Sequence, residues 1–295
     1  MAYIPPLDNT ETQHEGTAHL AIHNTFLRRS LTLLALKTTA RFFKYDGPCA
    51  RISKNLIVKT SPSVHLTEAT TMEFVAANTS IPVPHVYCSF VHRNRAYIVM
   101  ERISGQPFPE ALKTLSDADR EDIFTQLRSM IQQLRKLEPP PGTGVESCTG
   151  GSLRDPRNPR ARPRFGPFKK VQDFHLWLRD GVQIKEHPEV ANVHMTDQDW
   201  RDLREMAAKQ DGAWSNLTFT HGDLNPFNIM IRGNQVVSII DWESAGWYPF
   251  YWEYTSAWCG NITRKWWQDR VIKFLDPYPD ELKMEITRQK WWGEV

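Results

Sequence analysis

The sequence predicts an α+β protein of two unequal lobes, a small β-rich one followed by a larger and mainly helical one. Three observations carry that prediction. Between Ala50 and Glu101, four β-prone runs surround a single helical pattern. From Ser116 onward, apolar residues recur mostly at helical spacing. Between Leu217 and Glu253, a strand, a polar loop, a hairpin and a short aromatic-rich segment follow in close succession. A chain of 295 residues is long enough for two such lobes around a cleft.

Composition narrows the class of partner. The apolar content of 40% and charged content of 24% are ordinary for a water-soluble globular chain. A formal charge of +2 gives no argument for nucleic acid or an acidic membrane as the main partner, and neither is expected. Cys49, Cys88, Cys148 and Cys259 lie far apart with no CxxC pair, which fits reduced thiols better than a disulfide framework or a zinc site. The polar start, Met1 to Glu15, lacks a signal-peptide core, and no run approaches the roughly 18 apolar residues of a membrane span. The expectation is a cytoplasmic protein with no membrane partner; oligomeric state has no signal in the sequence.

Taken in order, residues 1–40 read as an extension, loosely ordered to residue 16 and then helical. Leu20, Phe26, Leu27, Leu31 and Leu34 of that extension are expected to pack on the outside of the next lobe, in preference to binding a partner. Residues 41–104 form the β-rich lobe. Ala50 to Thr60 is a strand pair ending in Leu56-Ile57-Val58 with Lys59 directly after. Thr67 is the expected cap of a helix through Glu68, Met72 and Val75, which stops before Ile81-Pro82-Val83-Pro84. The strands Val86–Val91 and Ala96–Glu101 follow, joined by a polar turn.

Residues 105–295 form the larger lobe. Ser116 and Asp119 make a capping-box-like start to a helix whose apolar face includes Ile123, Leu127, Ile131 and Leu134, and Pro139-Pro140-Pro141 ends it. The loop from Gly142 to Lys170 carries Arg154, Arg157, Arg160, Arg162, Arg164, Lys169 and Lys170 against Asp155 alone. Such a run either receives an anion or an acidic partner or is a solvated loop; both readings stand. Val171–Leu178 and Asp197–Met206 are further helices. The tryptophans Trp258, Trp266, Trp267, Trp291 and Trp292 read as core rather than as a cage for a quaternary ammonium.

The chemistry-bearing stretch starts at Leu217. His221-Gly222-Asp223 is followed five residues after the aspartate by Asn228, and Asp241 ends an apolar strand. Ile229-Met230-Ile231 and Val236–Ile240 flank a turn at Arg232–Gln235, so a hairpin returns Asp241 to the neighbourhood of Asn228. A carboxylate and an amide oxygen side by side are hard ligands suited to Mg²⁺. Asp223, a few residues away, is placed to accept a hydroxyl proton as the catalytic base. An aspartate, an asparagine at this offset and a later aspartate after a strand form the layout of kinase-type phosphoryl transfer. In that layout the lysine that meets nucleotide phosphates is Lys59.

HGDLNPFNIMI followed by IIDWESAGWYPFYWEY resembles the aminoglycoside phosphotransferase family, in the fungal-type branch of small-molecule kinase-like proteins. EATTMEFVAANTSIPVPHVY, YIVMERISGQPF and GGSLRDPR extend the resemblance from about Arg41 to the C-terminus. It implies a bilobal protein-kinase-like fold and transfer of the γ-phosphate of ATP, or alternatively GTP, to a hydroxyl of a small molecule, with Mg²⁺. It further implies Glu68 as the ion-pair partner of Lys59, with Glu73 as the spare candidate, and Glu101 and Ile103 as hinge residues offering main-chain groups to adenine. Glu253 and His221 would brace the catalytic loop. Two departures are visible: Phe250 stands where glutamate is common, and the phosphate-covering loop is reduced to Tyr45-Asp46-Gly47-Pro48, with one glycine. The second departure supports an alternative class, a kinase-like protein that binds a ligand or partner without transferring phosphate. A third class, a protein kinase, is weakened by the short segment from Asp241 to Glu253, which leaves little room for an activation segment.

Overall fold

The computed structural model describes residues 8–43, 47–158, 163–184 and 195–293. The chain folds as the predicted α+β pair of lobes. After helix α1 (Phe26–Lys37) come strands β1 (Cys49–Arg51) and β2 (Leu56–Lys59), helix α2 (Leu66–Asn78), and strands β3 (Val86–Val91) and β4 (Ala96–Glu101). The four strands form one antiparallel sheet in the order β1-β2-β4-β3. β3 and β4 are joined by a tight turn in which Arg93 and Asn94 both take φ 51°, the left-handed pair that matches the twist of a hairpin.

The larger lobe adds β5 (Gln106–Pro107), α3 (Phe108–Ala111), α4 (Asp117–Arg135), α5 (Val171–Leu178) and α6 (Asp197–Asp211). β6 (Leu217–Thr220), β7 (Ile229–Arg232), β8 (Gln235–Ile239) and β9 (Gly246–Pro249) follow, then α7 (Trp252–Cys259), α8 (Lys265–Val271) and α9 (Pro279–Trp292). β5-β7-β8 make one small sheet and β6-β9 another. The capping box of α4 forms as the sequence predicts, Ser116 and Asp119 satisfying each other's main-chain N–H.

One apolar core runs through both lobes. Leu66, Met72 and Val75 of α2 and Ile98 of β4 join Leu127 and Ile131 of α4 and Ile229 and Ile239 of the hairpin. A second, aromatic core gathers Phe165, Phe174, Trp200, Tyr248, Tyr251 and Trp252 beneath the 142–170 loop. Trp267 is fully buried, and Trp291 and Trp292 pack on the aromatic core, as the core reading of these tryptophans expects. Phe219 of β6, Ile231 of β7 and Val236 of β8 are in the first core too, so the loops leaving these strands start from it.

Three local expectations are corrected. The cap of α2 is His65, not Thr67: its Nδ1 accepts from the Thr67 amide, so the helix begins at Leu66. Residues 8–16 are not loose. Asn9 exchanges hydrogen bonds with the main chain of Arg164, and Gln13 donates to the Pro62 carbonyl and accepts from His65 through its own. Finally, Phe26, Leu27, Leu31 and Leu34 do not pack on the sheet. They are 81%, 64%, 56% and 57% exposed, while α1 is held by Arg28 donating to the Tyr87 carbonyl and by the contact of Leu36 with the sheet's outer core.

Candidate active site

The polar loop after β6 is shaped by a glycine and a buried carboxylate. Gly222 takes φ 80°, and a Cβ there would lie 2.6 Å from the Ser244 carbonyl oxygen, so a larger residue is excluded twice over. Glu253, on α7, accepts from the main-chain N–H of His221 at 2.6 Å and of Gly222 at 3.1 Å. Burial raises the pKa of Glu253, against the opposing pull of His221 and the two amides. His221 donates from Nε2 to the Ile240 carbonyl and accepts the Asp223 amide on Nδ1, which fixes its tautomer. Burial lowers its pKa, so the ring is neutral and tied at both nitrogens.

Asp223 follows, half-buried. The side-chain amides of Asn225 and Asn228 donate to its Oδ2 at 3.0 and 3.1 Å, and Asn228 also donates to its carbonyl. With Nδ2 of Asn228 committed to Asp223, the Oδ1 oxygen is the end left to act as a ligand. Burial raises the Asp223 pKa, Arg157 opposes and the charge of Asp241 adds to the rise. The hairpin then does what its pattern predicts: Ile229 pairs with Ile239, and the Ile240 amide bonds the Asn228 carbonyl at 2.9 Å, so the two strand ends are neighbours. Asp241 itself is left-handed, φ 66° and ψ 60°, a conformation aspartate tolerates better than most residues.

Lys59 crosses from the small lobe to meet this loop. Its Nζ lies 2.8 Å from Glu68 of α2, 2.5 Å from Asp241 and 3.5 Å from Glu243. Burial works against the lysine charge, but the three carboxylates outweigh it and hold its pKa well above normal. Burial raises the Glu68 pKa while Lys59 pulls it down, and Glu68 Oε2 is buried without a hydrogen-bond partner among the described residues. Glu73, the spare candidate, makes no ion pair among the described residues. At the other end of the small sheet, Glu101 closes β4 with its amide on the His85 carbonyl at 2.9 Å, and Arg102 bonds Asn55 at 2.7 Å, leaving Ile103 at the crossing between lobes.

The donor set of Asn228, Asp241 and the adjacent Glu243 is all oxygen, and carboxylate atoms of Glu68, Asp241 and Glu243 lie within 4.8 Å of one another. That chemistry fits a hard divalent cation such as Mg²⁺. A cavity of about 610 Å³ opens beside this cluster, lined by Gly47, Pro48, Lys59, Asp241 and Glu243 among others. Of the reduced phosphate-covering loop, Gly47 and Pro48 are described, while Tyr45 and Asp46 lie outside the described residues.

Three arginines of the basic loop are taken up by partners, whereas Lys169 and Lys170 are exposed. Arg154 pairs with Glu243 at 3.0 Å; Arg157 binds Asp155 and donates to the carbonyls of Gly222 and Ser256; buried Arg164 is held by Ser152 and Thr67. Burial, with Arg154 close by, lowers the Arg164 pKa to about 10. Arg160 and Arg162 lie outside the described residues. Glu243, Arg154 and Arg157 are site residues that the motif reading did not single out. Glu243 carried a signal, an acid two residues after Asp241; the arginines were indistinguishable from their neighbours.

A lysine clamped by a helix carboxylate in a β-rich lobe, with an aspartate and an asparagine before a hairpin and a second aspartate after it, defines the kinase-like class of phosphotransferases. The chain belongs to the phosphotransferase enzyme family, whose model matches residues 52–283. No curated protein sequence matches it. Among solved structures it is similar to the gentamicin complex of APH(2")-IIa, with 13% identity, 91% of this chain and 87% of that one covered, and a TM-score of 0.55. It is also similar to a thermostable mutant of aminoglycoside phosphotransferase APH(4)-Ia in ternary complex with AMP-PNP and hygromycin B: 14% identity, 79% and 76% covered, TM-score 0.53. At these identities the likeness is one of fold.

Proposed function

We propose that this chain transfers the γ-phosphate of ATP, with GTP as the alternative nucleotide, to a hydroxyl group of a small molecule. The observation that carries the proposal is the convergence on Lys59: Glu68 from one lobe and Asp241 from the other meet it at the edge of the 610 Å³ cavity. Glu68 holds the ammonium so that it meets the non-transferred phosphates without a search, and Glu101 and Ile103 offer main-chain groups to the base of the nucleotide. Asn228 and Asp241 would hold Mg²⁺, which when bound offsets charge on the phosphates. Asp223, kept in place by Asn225 and Asn228, orients the acceptor hydroxyl and takes its proton as the new P–O bond forms. Its raised pKa means that turnover falls as pH drops through that value, because the protonated carboxyl no longer accepts.

A small acceptor is supported by the segment after Asp241. It enters β9 at Gly246, which pairs at once with β6 from Thr220 to Gly246 through Leu217 to Pro249, leaving no length to dock a peptide. The resemblance of the fold to aminoglycoside phosphotransferases points the same way.

The test is nucleotide binding. A nucleotide at about 100 times its Kd stabilises a fold by about 2.7 kcal/mol, so Mg-ATP or Mg-GTP is expected to raise the melting temperature, and Asp241→Ala to remove most of the rise. No rise with either nucleotide would instead assign binding of another ligand or a partner without transfer, the reading favoured by a covering stretch in which Pro48 offers no amide.

A further inference from the structure

A glycine-rich covering loop holds phosphates by main-chain N–H groups, and Gly47-Pro48 supplies few of them, since proline donates none. The same cavity is lined by Arg154, which comes from the other lobe. The charges around it are unevenly shared. Glu68, Asp241 and Glu243 all lie within 3.5 Å of Lys59, whereas among the described residues Arg154 forms an ion pair with Glu243 alone. That single bond uses Nε, and the terminal nitrogens of Arg154 make no hydrogen bond among the described residues. A guanidinium carries five donors in a planar fork that matches two phosphate oxygens at once.

The arginine is also held in position. On one side Leu153 exchanges two main-chain bonds with Phe165, at 2.8 and 3.0 Å. On the other, Asp155 is bound by Arg157, whose guanidinium is anchored on the catalytic loop at Gly222. The Arg154 side chain is 14% exposed, so it meets a ligand partly stripped of water, where a charged hydrogen bond is stronger.

We propose that Arg154 forms a phosphate subsite in this cavity, holding the terminal phosphates of the nucleotide in place of the main-chain amides that a longer loop would supply. The proposal rests on the nucleotide reading above. On binding, the terminal nitrogens of Arg154 take phosphate oxygens while Nε keeps Glu243, so the C-terminal lobe, not the small lobe alone, grips the polyphosphate.

The test compares dissociation constants of ATP, ADP and AMP, with Mg²⁺, for the wild type, Arg154→Ala and Arg154→Lys by calorimetry. Loss of a charged hydrogen-bonding group weakens ATP binding by about 10- to 100-fold, with AMP within about twofold of wild type and Arg154→Lys between the two. The unliganded melting temperature of each variant checks that the loop is folded. Equal loss for AMP and ATP would mean that Arg154 acts only through the fold, and an unchanged ATP constant would mean that it does not touch the phosphates; either overturns the proposal. If the wild type binds none of the three, the nucleotide reading itself fails and the proposal with it, an outcome distinct from a wild type that binds ATP and an alanine variant that binds it equally well.

Discussion

Replacing Glu253 by glutamine separates the shape of a buried side chain from its charge. The wild-type carboxylate accepts two main-chain bonds, from His221 at 2.6 Å and Gly222 at 3.1 Å, and is 3% exposed. Glutamine keeps the volume but has one acceptor oxygen. Its NH₂ must face the second amide, donor against donor, and that amide is left buried without a partner. The orphaned amide and the loss of a charge-assisted bond together cost about 2–4 kcal/mol. For a chain of 295 residues, a melting entropy of about 2 cal/mol/K per residue turns that cost into a fall of about 3–7 °C. Differential scanning calorimetry reads it directly. A melting temperature within about 1 °C of wild type would refute the claim that Glu253 braces the loop, because an unpaired buried amide cannot be that cheap.

Two further outcomes follow from the same geometry. Gly222→Ala places a Cβ 2.6 Å from the Ser244 carbonyl at φ 80°, so it is expected to lower both melting temperature and turnover; normal turnover would show that the loop can move aside. His65 and His175 are buried and neutral, with burial lowering their pKa values to about 3 and about 4 from an ordinary 6.5. In the unfolded chain both take up a proton near 6.5, so the unfolded state binds more protons between that value and the folded ones. The contribution of these two histidines is therefore full above pH 6.5 and declines as pH falls, by about 1.4 kcal/mol per unit for each, and removing it with His65→Gln or His175→Gln should flatten the pH dependence. Melts of the wild type and the two variants at about pH 7 and about pH 5 check this, and an identical change in melting temperature for all three would contradict it.

The parts legible in the sequence were those whose causes are local. Ser116 and Asp119 announce the start of α4 because both halves of a capping box lie within one turn. The β7–β8 hairpin is readable because two apolar runs flank a turn containing Gly233, and it was enough to bring Asn228 and Asp241 together. What was not legible depends on distant partners. A run of arginines leaves an anion-receiving and a solvated reading open until Glu243, 89 residues from Arg154, and Gly222, 65 residues from Arg157, are seen beside it. β9 was hidden because a segment of Gly, Trp, Tyr and Pro has no alternating pattern; its pairing with β6 makes it a strand. An imidazole cap on α2 breaks the usual preference for short oxygen-bearing caps, so the helix start was read two residues late. The apolar face of α1 shows the limit of periodicity, which says that a helix has two faces but not that the fold has a surface to cover one of them.

The measurement that bears most directly on the account is ADP formation from Mg-ATP in the presence of a panel of sugars, polyols and amino alcohols, run in parallel on the wild type and Asp223→Ala. Removal of a general base lowers transfer by about 10²- to 10⁴-fold, and Mg-ATP affinity should stay within about twofold because Asp223 does not hold the nucleotide. Acceptor-dependent ADP formation by the wild type that disappears in the variant is the predicted result. Turnover by Asp223→Ala at the wild-type rate would contradict the assignment of this loop as the site of phosphoryl transfer.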